Sequence, residues 1–187
     1  MWFVDRFCYV TTVGFGIAMV AFAVLVTFET IARKFFGMSL QGVDELGGYV
    51  LAATSSLAFT LALVDRAHIR IDLFHLMLPQ PARALLNWLS TVLLAAFAVL
   101  IVYVAAIVVT ETVEFNSTAP TPWATPLVWP QSVWFAALFV FLVFALGMAL
   151  HATRLFVRGR WAELDRRHGP KGTQEELQEE LEDLRRR

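Results

Sequence analysis

The sequence predicts an all-α integral membrane fold: four transmembrane helices, both termini cytoplasmic, and a short cytoplasmic interfacial segment between helices 2 and 3. Three observations predict it. The chain is 58% hydrophobic over 187 residues. Its apolar residues gather into four uncharged runs, Phe7 to Phe28, Leu46 to Val64, Ala84 to Thr110 and Phe115 to Leu150. Each run reaches the roughly 18 residues that mark a bilayer span. A soluble chain of this length would alternate apolar and polar faces around one core, whereas these runs are apolar all round.

The spans are expected at about 7–32, 45–64, 84–110 and 131–157. Together they make a membrane domain over residues 1–158, followed by a charged cytoplasmic tail over 159–187. Orientation follows from charge. With four spans, the N-terminus, the middle connection and the C-terminus share a side, and all 15 Lys and Arg residues except Arg33 and Lys34 fall there. The positive-inside rule makes that side cytoplasmic. The net charge of -1 conceals this asymmetry.

The first run follows Arg6 but exceeds a signal-peptide apolar region of about 7 to 15 residues, so it reads as a retained helix. Glu29 and Arg33 stand four apart in the favourable order for a helical ion pair, which carries that helix past its apolar part. A single cysteine, Cys8, excludes an internal disulfide. Asp44 and Glu45 follow the break from Gly37 to Gly42, where carboxylates complement a helix N-terminus or meet another membrane subunit.

The middle connection, Asp65 to Pro79, interleaves charge with apolar residues. His68, Asp72 and His75 share one helical face and could in principle hold a transition metal. Arg66 and Arg70 would repel the cation, and no supporting second shell can be named. The expectation is therefore an amphipathic shelf with no metal: Ile69, Ile71, Leu73 and Phe74 reach membrane depth while Arg66, Arg70 and Asp72 stay with water or headgroups.

Pro120, Pro122, Pro126 and Pro130 interrupt the last run, since each removes a donor and disfavours helix before it. The fourth helix is expected to begin near Gln131, after an ordered outer loop from Asn116 to Pro130. Trp123, Trp129 and Trp134 fall at that boundary, as interfacial Trp does. Asn116-Ser117-Thr118 fits an N-glycosylation acceptor, which matters only in a eukaryotic secretory setting. Beyond Gly169-Pro170, Thr173 and Glu176 have capping-box spacing ahead of Leu177, Leu181 and Leu184. That is one short amphipathic helix, marginal alone in water, which either frays or docks on a partner or the membrane.

No Asp, Glu, Lys, Arg or His lies within the uncharged runs, whose small and polar residues include Gly14, Gly16, Thr54 to Ser56, Thr60, Ser90 and Thr91. Transport sites at depth need ionisable residues or broken helices. Haem would need His within the spans, but His68, His75 and His151 sit at span ends and His168 lies in the tail. GxSxG, CxxC, P-loop and HExxH patterns are missing from the sequence. The expectation is a non-enzyme with no catalytic residue, cofactor, metal or nucleic-acid partner, which is the profile of an accessory subunit.

In that setting the chain resembles the small, DctQ-type membrane subunit of tripartite ATP-independent periplasmic (TRAP) transporters. The resemblance rests on "ETIARKFFG" at the end of the first helix, "GVDELGGYVL" opening the second, "ALVDRAHIRIDLF" after it, and the loop "STAPTPWATPLVWPQSVWF". It covers about residues 1 to 160, leaving the acidic, leucine-bearing tail outside the pattern. It implies an inner-membrane subunit of a sodium symporter that takes up an organic anion, a carboxylate or sulfonate. A periplasmic binding protein would deliver the anion to a large, elevator-type subunit on a separate chain, which this chain would brace. Membrane lipids are further partners. The resemblance also implies that Arg33 and Glu45 meet near the outer interface, closing the first hairpin or a contact with the large subunit. His68 and Asp72 match its cytoplasmic motif. Candidate structural or partner-interface residues are thus Glu29, Arg33, Asp44, Glu45, Arg66, His68, Arg70, Asp72, Trp123 and Pro130. Small residues such as Gly14, Ala18, Gly47, Gly48, Ala52 and Ala53 suit helix packing against the large subunit. The alternatives are an autonomous small channel or transporter, and an adaptor acting through its tail.

Overall fold

A computed structural model describes residues 2–38, 40, 42–64, 78–169, 181 and 184. The helices that can be followed among the described residues are α1 (Trp2–Phe36), α2 (Val43–Val64), α3 (Gln80–Glu114), α4 (Val128–Val157) and the short α5 (Trp161–His168). The first four are long and apolar enough to cross a membrane, so the protein is an all-helical, multi-pass membrane protein. The described residues contain no strand, only an isolated bridge between Thr118 and Pro126.

Helix ends differ from the sequence expectation, for local reasons. α4 starts at Val128, ahead of Gln131, so that Pro130 is its third residue. Proline is tolerated in a first turn because its missing N–H would have had no intrahelical partner; on either side of it Trp129 N reaches Pro126 O at 3.3 Å and Gln131 N reaches Leu127 O at 3.1 Å. α3 likewise starts at Gln80, with Pro81 in its first turn, and Ala82 N and Arg83 N both reach Pro79 O, at 3.0 and 3.1 Å. α1 runs on to Phe36, with Arg33 and Lys34 in its last turn, where cations complement the C-terminal end of the helix dipole. α3 closes through Asn116, at φ 48, and a bond from Ser117 N to Thr112 O at 3.1 Å. Asparagine is among the few non-glycine residues that enter this left-handed conformation readily.

The chain forms two compact units. One comprises Met1–Leu61 and Phe97–Phe144. In it α1 meets α2 where Phe22 lies over Gly47, whose absent side chain would come within 2.6 Å of the ring. Small residues permit this kind of close helix approach. Gly47 thus admits Phe22 of its own chain, whereas Gly14 and Gly48 face open space. Phe59 of α2 packs on Phe141 of α4 with ring centroids 5.9 Å apart. Val102 and Ala105 of α3 bury against Leu138 of α4, flanked by Trp134 and Phe135.

The other unit comprises Ala62–Ala96 and Ala145–Arg187. Its core is Ala84 of α3, Ala152 and Leu155 of α4, and Leu164 of α5. Trp88 stacks on Phe156, with centroids 5.1 Å apart and planes 16° from parallel. α5 was not anticipated, because about two charged turns with one Leu carry little periodicity. The expected interfacial shelf and the helix from Thr173 onward lie outside the described residues, apart from Pro79, Leu78, Leu181 and Leu184.

Candidate functional site

Each unit contains one carboxylate that ties a separate piece of chain to a long apolar helix. In the first unit this is Glu45, in the first turn of α2 and only 9% exposed. Gly42 turns the chain into that helix at φ 97, and Leu46 N returns to Gly42 O at 3.1 Å. The indole of Trp123 lies directly over Gly42, where a Cβ would approach it to 2.6 Å. Position 42 therefore rejects a side chain on both backbone and packing grounds.

Trp123 belongs to the loop that carries the partners of Glu45. That loop is a tight hairpin, with Ala119 N bonded to Thr125 O at 2.9 Å, Leu127 N to Ser117 O at 3.0 Å, and Ala124 N to Thr121 O at 2.9 Å. It aims the Thr121 hydroxyl at one Glu45 oxygen, and the Thr125 hydroxyl adds a second donor from the loop. Tyr49, one turn further along α2, donates to the other oxygen at 2.7 Å. Glu45 is thus an acceptor surrounded by neutral hydroxyl donors. Hydrogen bonds to an ionised acceptor are stronger than neutral ones, so this arrangement fixes the loop against the start of α2. Its chemistry is fastening rather than proton transfer or ligand capture, because the carboxylate oxygens are already engaged by the chain's own hydroxyls.

In the second unit the carboxylate is Asp165 of α5. Asn87 Nδ2 donates to its Oδ1 at 2.8 Å, and Arg83 approaches its Oδ2 at 3.6 Å. Next to it Leu164 is fully buried, at 0% exposure. Beside Asn87 on α3, Trp88 Nε1 donates to Thr153 Oγ1 at 3.0 Å, satisfying the indole N–H that its stacking would otherwise strand. A short helix of about two turns is unstable alone. α5 persists because it plugs Leu164 into an apolar site and bonds Asp165 to α3.

The other residues singled out from sequence fall as follows. Glu29 and Arg33 form an ion pair at 3.7 Å, with Glu29 buried and Arg33 exposed. Arg33 therefore pairs along its own helix and not with Glu45, whose oxygens are taken by Tyr49 and Thr121. Asp44 is exposed in the first turn of α2. Trp123 and Pro130 lie in and just after the hairpin. Arg66, His68, Arg70 and Asp72 lie outside the described residues. Sequence reasoning missed Tyr49, Thr121, Asn87 and Asp165. Tyr49 was available from its i, i+4 spacing to Glu45, and Asn87 as the one amide in the third uncharged run. Thr121 and Asp165 had no local signal, since their partners lie 76 and 78 positions away.

A family model described as tripartite ATP-independent periplasmic transporters, DctQ component, matches residues 22–155. That span takes in Glu45, its loop partners and Asn87, and stops before α5. Among curated proteins nothing matches the chain.

Proposed function

The chain belongs to the DctQ family of TRAP transporter components, and from that premise we propose that it is the small bracing subunit of such a transporter. In this reading it sits in the bacterial inner membrane with both termini cytoplasmic. It packs against a separate, large, elevator-type subunit that carries out sodium-coupled uptake of an organic anion, a carboxylate or sulfonate, delivered by a periplasmic binding protein. Residues 1–158 are the membrane part and 159–187 the cytoplasmic extension, with α5 its fastened beginning.

The observation that carries the bracing role is where the polar groups go. Glu45 and Asp165 are bound by the chain's own residues, while apolar side chains such as Val20, Val24, Phe97, Leu100 and Val143 face outward along the long helices. A subunit that grips solute keeps polar groups available at depth. One that steadies a moving neighbour needs a rigid frame and an apolar exterior for lipid and helix contact. Both features favour the brace.

Glu29, Arg33, Asp44, Glu45, Trp123 and Pro130 serve this role by shaping one end of the frame, and Arg66, His68, Arg70 and Asp72 by setting the connection between α2 and α3. Reconstitution tests the reading. Vesicles holding the large subunit, the binding protein and a sodium gradient should accumulate substrate only when this chain is included. Uptake by the large subunit without it, at the same rate, would refute the proposal, as would solute movement by this chain alone.

A further inference from the structure

α4 delivers its C-terminal turn to the place where a membrane-crossing helix leaves hydrocarbon, and the surface there has a distinctive make-up. Gly159, at φ 67, reverses the chain through a bond from Arg160 N to Leu155 O at 3.0 Å. The turn leaves Val157 79% exposed and Trp161 41% exposed, with Arg154 and Arg158 exposed between and beside them. Two apolar side chains in the open would be costly facing water, and arginines beside them would be costly facing hydrocarbon. At a headgroup boundary both costs vanish, since Trp and arginine stems settle at that depth.

Charge selects the headgroup. Between residues 154 and 167 stand five arginines and two carboxylates. Both carboxylates are committed: Glu163 to Arg160 and to Arg167, the latter at 3.1 Å, and Asp165 to Arg83. Neither is directed at Arg154 or Arg158. The guanidinium fork matches phosphate oxygens in a bidentate manner. The anchoring of α5 by buried Leu164 holds the turn in shape without help from those two arginines.

We propose that the α4–α5 turn is a binding surface for anionic phospholipid, with Arg154 and Arg158 on the headgroup phosphate and Val157 and Trp161 in the adjoining acyl layer. Each arginine near an anionic surface contributes about fivefold in binding, so the pair is worth roughly 25-fold. The site is selective for net-negative lipid, because a zwitterionic headgroup offers a phosphate with its own cation attached.

The test uses the full chain, purified in detergent and titrated with phosphatidylglycerol, phosphatidylcholine or inorganic phosphate, with retained lipid read by native mass spectrometry. Phosphatidylglycerol should be retained over phosphatidylcholine. The Arg154→Gln/Arg158→Gln variant should lose about 25-fold in apparent affinity, while Arg154→Lys/Arg158→Lys, which keeps the charge and loses the fork, should fall between it and the parent. The Lys34→Gln variant, altered in the first unit, should bind as the parent does. Equal retention of the two lipids would overturn the proposal. So would undiminished phosphatidylglycerol binding by the double Gln variant, or displacement of the lipid by inorganic phosphate at matched concentration, which would mark an isolated anion site.

Discussion

Glu45 and Asp165 do the same kind of work in different company. Glu45 is held by the hydroxyls of Thr121, Thr125 and Tyr49, all neutral, and its loop is positioned by backbone bonds and by Trp123 over Gly42. Asp165 is held by an amide and a guanidinium, and its helix is positioned by a buried leucine. The first fastening is therefore geometric, relying on a turn that only glycine adopts easily. The second is a hydrophobic plug with polar bonds beside it. The contrast teaches that a membrane frame can secure its extramembrane pieces by shape or by burial, and that the two should fail differently.

Substitutions can break that contrast, beginning with the plug. Leu164→Ala removes a fully buried side chain, and large-to-small changes of this type cost about 2–5 kcal/mol. Thermal unfolding of the purified chain should show the loss, with proteolysis near Gly159 rising in parallel. If α5 stays protected, burial is not what holds it.

Gly42→Val comes next. A left-handed backbone costs a non-glycine residue about 1–2 kcal/mol, and the added atoms must also displace Trp123. Fluorescence should shift as the indole moves, and hydrogen exchange should quicken over Ala119 to Leu127 while α5 is unaffected. Simultaneous loosening of α5 would contradict the independence of the two fastenings.

Asp165→Ala removes the acceptor of the Asn87 Nδ2 bond and the contact to Arg83, and losing a hydrogen bond to a charged group costs about 1.5–3 kcal/mol, discounted here because the Arg83 contact is long and partly solvated. Raising salt toward about 1 M screens such a pair, so α5 should become more exchangeable while the Thr121 to Thr125 loop, held by neutral donors, should not. Smallest of all, Trp88→Phe keeps the stack on Phe156 but forfeits the bond to Thr153, worth about 1 kcal/mol.

Much of the frame was legible before any coordinates. The four uncharged runs mark α1 to α4 because a bilayer span demands about 20 apolar residues, a signal no fold-specific context can blur. Glu29 and Arg33 were legible because their pairing is local. Helix starts were not: Pro130 read as a break in sequence although a first turn accommodates it, and α3 begins at Gln80, ahead of its uncharged run. The fastenings were half legible. Glu45 stood out as a carboxylate at a helix start, but Thr121 looked like any loop threonine until the hairpin folded it back across 76 positions. Leu164 and Asp165 looked like part of a charged tail, since burial of one leucine is decided by α3 and α4 rather than by its neighbours. The meeting of Arg33 with Glu45 failed for a related reason: each found a partner at four-residue spacing on its own helix.

The central claim is that this chain is a frame for another protein. Its most direct test is affinity purification of the tagged full chain from its native membrane in mild detergent, with the stoichiometry of what accompanies it measured. One large multi-span membrane protein should accompany it, at one copy per chain. Recovery of the chain as a homo-oligomer with no such companion, and conducting solute when placed in vesicles, would contradict it.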